Sequence, residues 1–179
     1  MSRVAIPSEI VTVRLKLRRA SPDDLAPLHA ILSDPRAMRY WSTRPHVDLE
    51  ETRRWLDGML EAAPDESDDF ILELGGRVVG KAGCWRLPEI GYILHPDYWG
   101  RGLANEALIA ILDHVFAAHD LGAVTADVDP RNEASLRLLA RLGFEETGRA
   151  DRTYEVAGEV SDSVYLALAR GAWRAAHGV

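Results

Sequence analysis

The chain has 179 residues, enough for one domain with a substantial core, and its 47% apolar and 27% charged content is ordinary for a globular protein. Lysine plus arginine at 21 against aspartate plus glutamate at 28 leaves a net charge of −7, which argues against a nucleic-acid binder; beyond serving solubility, it suits a cationic partner weakly. The single cysteine, Cys84, excludes an internal disulfide and fits a reducing cytoplasm, no stretch approaches the roughly 18 apolar residues of a membrane span, and the N-terminus lacks an apolar core of signal-peptide length. These features predict a soluble cytoplasmic protein with no membrane or nucleic-acid partner.

In chain order, Val11, Val13, Leu15 and Leu17 alternate with Thr12, Arg14, Lys16 and Arg18, which predicts one strand over 10–18 with a polar face. Ser21-Pro22-Asp23-Asp24 is a helix start, with Ser21 as N-cap, Pro22 in the first turn and acids complementing the dipole; Leu25, Leu28, Ile31 and Leu32 form the buried stripe. Asp34-Pro35 ends that helix. The irregular stretch that follows contains Tyr40, Trp41 and Arg44, candidate walls of a recognition site, although the aromatics serve simple packing equally well. A second helix is expected over 49–63, then an acidic surface loop over 64–69. Gly75-Gly76 predicts a hairpin between strands at 70–74 and 77–85, in which Gly80 and Gly83 imply a bulge or a close backbone neighbour.

The next stretch organises the rest. Tyr92, Ile93 and Leu94 favour a buried strand beginning at Glu89, and Leu103, Ala107, Leu108, Ile111, Leu112 and Val115 recur at helical spacing. Between them, Gly100 and Gly102 permit close approach of backbone N–H groups. The helix after them leaves its first amides unpaired with the positive dipole end outward, an anion site suited to phosphate. It is not a P-loop, because Leu103 and Ala104 follow Gly102, and it is not a dinucleotide fingerprint, because Asn105 stands where the third glycine belongs. A turn whose glycines serve only packing is the plain alternative. A strand over 123–128 follows, then a helix with Asn132 as candidate N-cap, Ser135 on the face of Leu138, Leu139 and Leu142, and Gly143 as stop. Strands at 152–156 and 163–168 read as a closing hairpin. His114 and His119 lie five apart, about 140° round a helix, and so lack the i, i+4 spacing of metal ligands.

Trp99-Gly100-Arg101-Gly102-Leu103-Ala104 resembles the coenzyme A loop of the GNAT acetyltransferases, with Trp99 departing from the usual Gln or Arg. The Tyr-Trp-Gly-Arg-Gly-x-Ala form, Asn132-x-x-Ser135 before Leu142-Gly143-Phe144, Asp162 before a strand and Trp173 near the end together are similar to the RimJ/RimL-like branch. The resemblance spans Val13 to Trp173. It implies a single domain over 1–179 with a three-layer fold, a central mixed, mostly antiparallel α/β sheet flanked by helices.

The resemblance also implies acetyl-CoA as cosubstrate, with no metal. Its pantetheine is expected on backbone groups of Ile93 and Leu94, and its pyrophosphate on Gly100, Arg101, Gly102, Leu103, Ala104 and Asn105; Asn132 is a further expected cofactor contact. Glu89 matches the position from which many family members accept the amine proton, and otherwise is a strand-end carboxylate. Many relatives place an acid tyrosine where this chain has Leu139, so Ser135 is the remaining candidate to protonate the departing sulfur, unless it merely satisfies the helix backbone. The expected acceptor is a primary amine, of a protein N-terminus or a small molecule, on Tyr40, Trp41 and Arg44, and the chain acts as monomer or homodimer. The alternative is a non-catalytic acyl-CoA-binding sensor of the same fold.

Overall fold

In the computed structural model, residues 8–178 are described, so the start of the stretch read above for a leader lies outside the described residues. The described residues form eight strands and five α-helices: β1 (Glu9–Val11), β2 (Leu15–Arg18), α1 (Leu25–Leu32), α2 (Leu49–Glu61), β3 (Asp68–Leu74), β4 (Arg77–Arg86), β5 (Glu89–Leu94), α3 (Leu103–Ala118), β6 (Ala123–Val128), α4 (Glu133–Arg141), β7 (Glu145–Val156), β8 (Glu159–Ala169) and α5 (Arg170–His177). The strands make one sheet in the order β1-β2-β3-β4-β5-β6-β8-β7. Every pairing is antiparallel except β5 with β6, which is parallel and registers only at Glu89 opposite Thr125.

Two cores sandwich the sheet. α3 buries Leu103, Ala107, Leu108, Ile111, Leu112, Val115 and Phe116 against Leu15, Leu17, Phe70, Leu72, Ile90 and Leu94. Each of the larger side chains contributes about 1.5–3 kcal/mol of burial, an upper figure because unfolded chains already hide some surface. On the other face Leu28, Ile31, Leu32 and Leu56 pack on Ile71 and Ile93. These helices cover the sheet only as far as β5.

Several elements differ from their sequence patterns. The alternating run over 10–18 is two strands: Thr12 N–H donates to Leu15 O at 2.9 Å, and β1 folds back on β2 with Ile10 opposite Leu17. Alternation survives a tight turn, so periodicity alone does not reveal one. The first helix opens with a 3-10 turn at Pro22–Asp24, where Ser21 N–H donates to Asp24 Oδ2 at 2.7 Å. The closing hairpin is longer than its apolar content suggests, because both faces of β7 are largely exposed. Trp173, 1% exposed, anchors α5, with its indole N–H donating to Asp113 Oδ1 at 2.8 Å. Among the described residues no helix is long and apolar enough to cross a membrane.

Candidate active site

β5 and β6 part beyond the Glu89–Thr125 pair, and the gap between them continues into a cleft of about 740 Å³. Ile93, Leu94, Gly100, Gly102, Leu103, Ala104, Asn105, Asn132 and Ser135 all line it, although they lie up to 42 positions apart in the chain. Tyr40 and Trp41 line it as well, as do Arg36, Arg39 and Arg141.

The glycine turn has the geometry an anion site requires. Gly100 and Gly102 take φ of +70° and +73°, left-handed conformations that tolerate few side chains, and a Cβ at Gly100 would meet nothing within 4 Å. Glu106 N–H donates to Gly102 O at 3.1 Å, so the amides of Leu103, Ala104 and Asn105 precede the first intrahelical bond. Glu106 would oppose an anion there. Its charge is engaged: Arg14 Nε donates to Oε2 at 2.6 Å, while Arg14 N–H and Thr12 Oγ1 donate to Oε1 at 2.7 and 2.5 Å. Although burial favours the neutral acid, these bonds hold the Glu106 carboxyl below its ordinary value. Arg14 also donates from Nη1 to Arg101 O at 2.7 Å and so braces the turn. Reading Arg14 as the polar face of a strand concealed this role. Trp99, the departure from the family's loop, donates its indole N–H to Leu94 O at 2.9 Å and ties the turn to the end of β5.

Strand pairing decides which peptide groups of β5 face the gap. His95 N–H donates to Val79 O, and a Cβ at Gly80 would collide with the Ile93 carbonyl oxygen, so that carbonyl points at β4. Antiparallel pairs alternate, so the peptide groups of Tyr92 and Leu94 point into the gap while those of Ile93 face β4. Gly80 is the close backbone neighbour expected from the sequence.

Asn132 caps α4, its Oδ1 accepting from Ser135 N–H at 3.2 Å. Ser135 Oγ stands 2.5 Å from the hydroxyl of Tyr92, a residue the sequence reading placed in the strand without a chemical role. Burial, with little relief from Ser135 and Arg141, pushes Tyr92 up to about 12, so it remains a proton donor. Leu139 is fully buried in the core. A strand tyrosine therefore places a hydroxyl on the serine that opens α4. The only cue in sequence was that Tyr92, the one polar-tipped side chain in an otherwise apolar stretch, shares strand parity with Ile90 and Leu94.

Other candidates sit elsewhere. Glu89 is not on the cleft lining; it stands at the apex where the strands part, its Oε1 accepting from Trp85 Nε1 at 3.1 Å and its Oε2 3.6 Å from Arg86 Nη2. Arg44 is exposed and contacts Glu51 Oε2 at 3.2 Å, off the lining. Arg101 is likewise off it, its guanidinium 5.5 Å above the Tyr98 ring. Cys84 is buried in the core, and burial raises its thiol far above the usual range.

The fold brings His114 and His119 together despite their spacing. His119 is the C-cap of α3 with extended backbone, φ −117° and ψ 145°, so helical angles do not govern it. His114 Nε2 and His119 Nε2 both meet Asp68 Oδ2, at 2.7 and 2.6 Å. Ligands on a tetrahedral zinc stand about 3.3 Å apart. The observed separations are those of hydrogen bonds, and Arg19 Nη1 completes the set 2.8 Å from Oδ1, joining β3 to the end of α3.

Residues 14–145 match the family described as acetyltransferase (GNAT) domain. An uncharacterized N-acetyltransferase p20 of Bacillus licheniformis is 30% identical over 88% of this chain and 93% of its own length. The spermidine N(1)-acetyltransferase of Escherichia coli is 27% identical over 91% and 90%. Mycobacterium smegmatis RimJ, solved in complex with CoA-disulfide, superposes with a TM-score of 0.78 at 26% identity, covering 92% of this chain and 88% of that one. The chain belongs to the GNAT acetyltransferase family, in its RimJ/RimL-like branch, and is an acyltransferase.

Proposed function

We propose that the protein transfers the acetyl group of acetyl-CoA to a primary amine by direct attack. The observation that carries this reading is the meeting, in one cleft, of the open β5/β6 gap with a left-handed glycine turn and the unbonded amides of α3. The pyrophosphate would lie on the amides of Gly100 to Asn105. Arg141 and Arg39 supply positive charge along the lining, and Asn132 borders the cleft beside them. Leu94 would hold the pantetheine through its gap-facing peptide N–H; Ile93 would contribute side-chain packing. A gap-facing N–H of Tyr92 or Leu94 would polarise the thioester carbonyl.

The attacking nitrogen forms a bond to the carbonyl carbon, the C–S bond breaks, and a proton leaves the nitrogen while one reaches the sulfur. Glu89, at the apex, would accept the first through water. An α-amine with a pKa of about 8 costs roughly 1.4 kcal/mol to deprotonate at pH 7, against about 4.6 kcal/mol for a lysine, so a modest base serves the former. Ser135 would deliver the second proton, drawing on the Tyr92 hydroxyl behind it. Both CoA-bound RimJ and the spermidine enzyme support the cosubstrate and the amine class.

The test is thiol release from acetyl-CoA with a panel of amines, combined with product mass. The expected result is one acetyl group gained per CoA released. Saturable acetyl-CoA binding with no transfer to any amine would instead favour the non-catalytic module, a reading to which Leu139 in place of the family tyrosine lends weight.

A further inference from the structure

The part of the sheet that α1 and α2 leave uncovered carries a distinct set of side chains. Pairing register puts them on one face. Glu89 is opposite Thr125 and Asp127 is two residues further on; Asp127 is opposite Tyr165, which shares its parity with Ser161, the partner of Tyr154. Trp85 stands on the same side, its Cδ1 3.3 Å from where a Cβ at Gly91 would lie. Trp85, Tyr154 and Tyr165 are 47%, 37% and 38% exposed, and so supply three of the large aromatics that this protein leaves to solvent.

These aromatics frame two carboxylates. Trp85 donates to Glu89, and the Tyr154 hydroxyl donates to Asp127 Oδ2 at 2.9 Å. Burial, then the Asp127 carboxylate, push Tyr154 up to about 12, so it stays a donor to that carboxylate. Among the described residues Asp127 has no basic partner, whereas Glu89 has Arg86 3.6 Å away. The Arg86 guanidinium also lies 4.8 Å from the centre of the Trp85 ring, so this face already accommodates a cation on an aromatic surface.

The location follows from the sheet. The carrier approaches along the gap from the glycine turn, and the gap closes at Glu89 and Thr125. An amine attacking from the opposite direction must cross this uncovered face. We infer that this face selects an acceptor with a second positive charge besides its reacting amine, Asp127 holding the second ammonium group while Trp85, Tyr154 and Tyr165 pack the intervening alkyl chain. The inference rests on the acetyltransferase reading above. The same chemistry is met in an aliphatic di- or polyamine and in a peptide N-terminus followed by a lysine. One amine proton passes to Glu89, the second charge remains on Asp127, and the sulfur takes its proton from Ser135.

The experiment compares 1,4-diaminobutane with n-butylamine, and a Ser-Lys peptide with a Ser-Ala peptide, by thiol release on the full chain. The charged member of at least one pair should show a kcat/KM about tenfold higher, with a KM that rises steeply with salt, since a second ion contact is screened. The pair that responds identifies the source of the charge. Asp127→Asn should reduce that preference about tenfold through KM rather than kcat, and Asp127→Glu should restore most of it. Wild-type salt dependence gives the same answer should the variant misfold. Transfer to every amine without preference for the second charge, or a preference untouched by Asp127→Asn, overturns this inference alone. Acetyl-CoA binding with no transfer to any amine overturns the acetyltransferase reading, and this one with it.

Discussion

The cleft and the uncovered sheet face meet at the apex of the same two strands, yet they are made of different material. The cleft offers peptide N–H groups of the glycine turn and the first turn of α3, with arginines 36, 39 and 141 on its lining. The sheet face offers Glu89 and Asp127 among Trp85, Tyr154 and Tyr165. One is built for an anion and the other for a cation. Main-chain recognition asks little of the side-chain sequence beyond glycines and a helix start, and suits a carrier whose phosphates never change. Side-chain recognition depends on which residues happen to face outward, and suits a partner that varies.

The sheet that carries both regions is tied to the end of α3 at one joint, the Asp68 carboxylate of β3, which meets His114 and His119. Asp68→Asn should cost the most, about 3–5 kcal/mol, because it leaves the buried donors without their charge; denaturant melts measure it, and a change below 1 kcal/mol would detach the joint from the fold. Burial alone would raise Asp68, but the two imidazoles and Arg19 outweigh it and bring the group down to about 2. A depressed carboxyl contributes stability above its unfolded pKa. That contribution is complete above about pH 4 and lost as pH falls towards 2, a loss the Asn variant should not show.

Within the cleft, Gly102→Val puts a β-branched residue at φ +73° beside the amides, and acetyl-CoA affinity should fall about 100-fold by calorimetry. Acceptor selectivity, measured at saturating acetyl-CoA, should stay as it was, since the two regions bind different molecules. At the apex, Glu89→Gln should lower kcat about 30-fold with a steeper rise towards high pH, where the amine sheds its proton unaided. Unchanged kinetics would remove Glu89 from the reaction. Smallest is Tyr92→Phe, expected to reduce kcat about five- to tenfold with KM for acetyl-CoA within twofold. An equal loss in both parameters would make the Tyr92–Ser135 contact one of packing alone.

Much of the cleft is legible in the sequence. Glycines at 100 and 102 followed by an apolar helical period state a turn that needs positive φ and a helix whose first amides are unpaired, and both are local properties of the chain. The helical stripe of α3 and the cap at Asn132 are local in the same sense. The uncovered face was not legible. Trp85, Asp127, Tyr154 and Tyr165 come from four strands, and only register and alternation put them side by side.

The amino-acid order by itself therefore determined that helices form over α1 to α4, which faces they bury, and that one turn would present bare amides, because these follow from backbone conformation and short-range periodicity. Tertiary pairing alone decided that Tyr92 would meet Ser135 across 43 positions, that Ile93 would turn its peptide towards β4, and that two histidines five apart would share one carboxylate. A side chain's neighbours across a sheet are set by strand order and register. Those depend on the packing of the whole chain rather than on any segment of it.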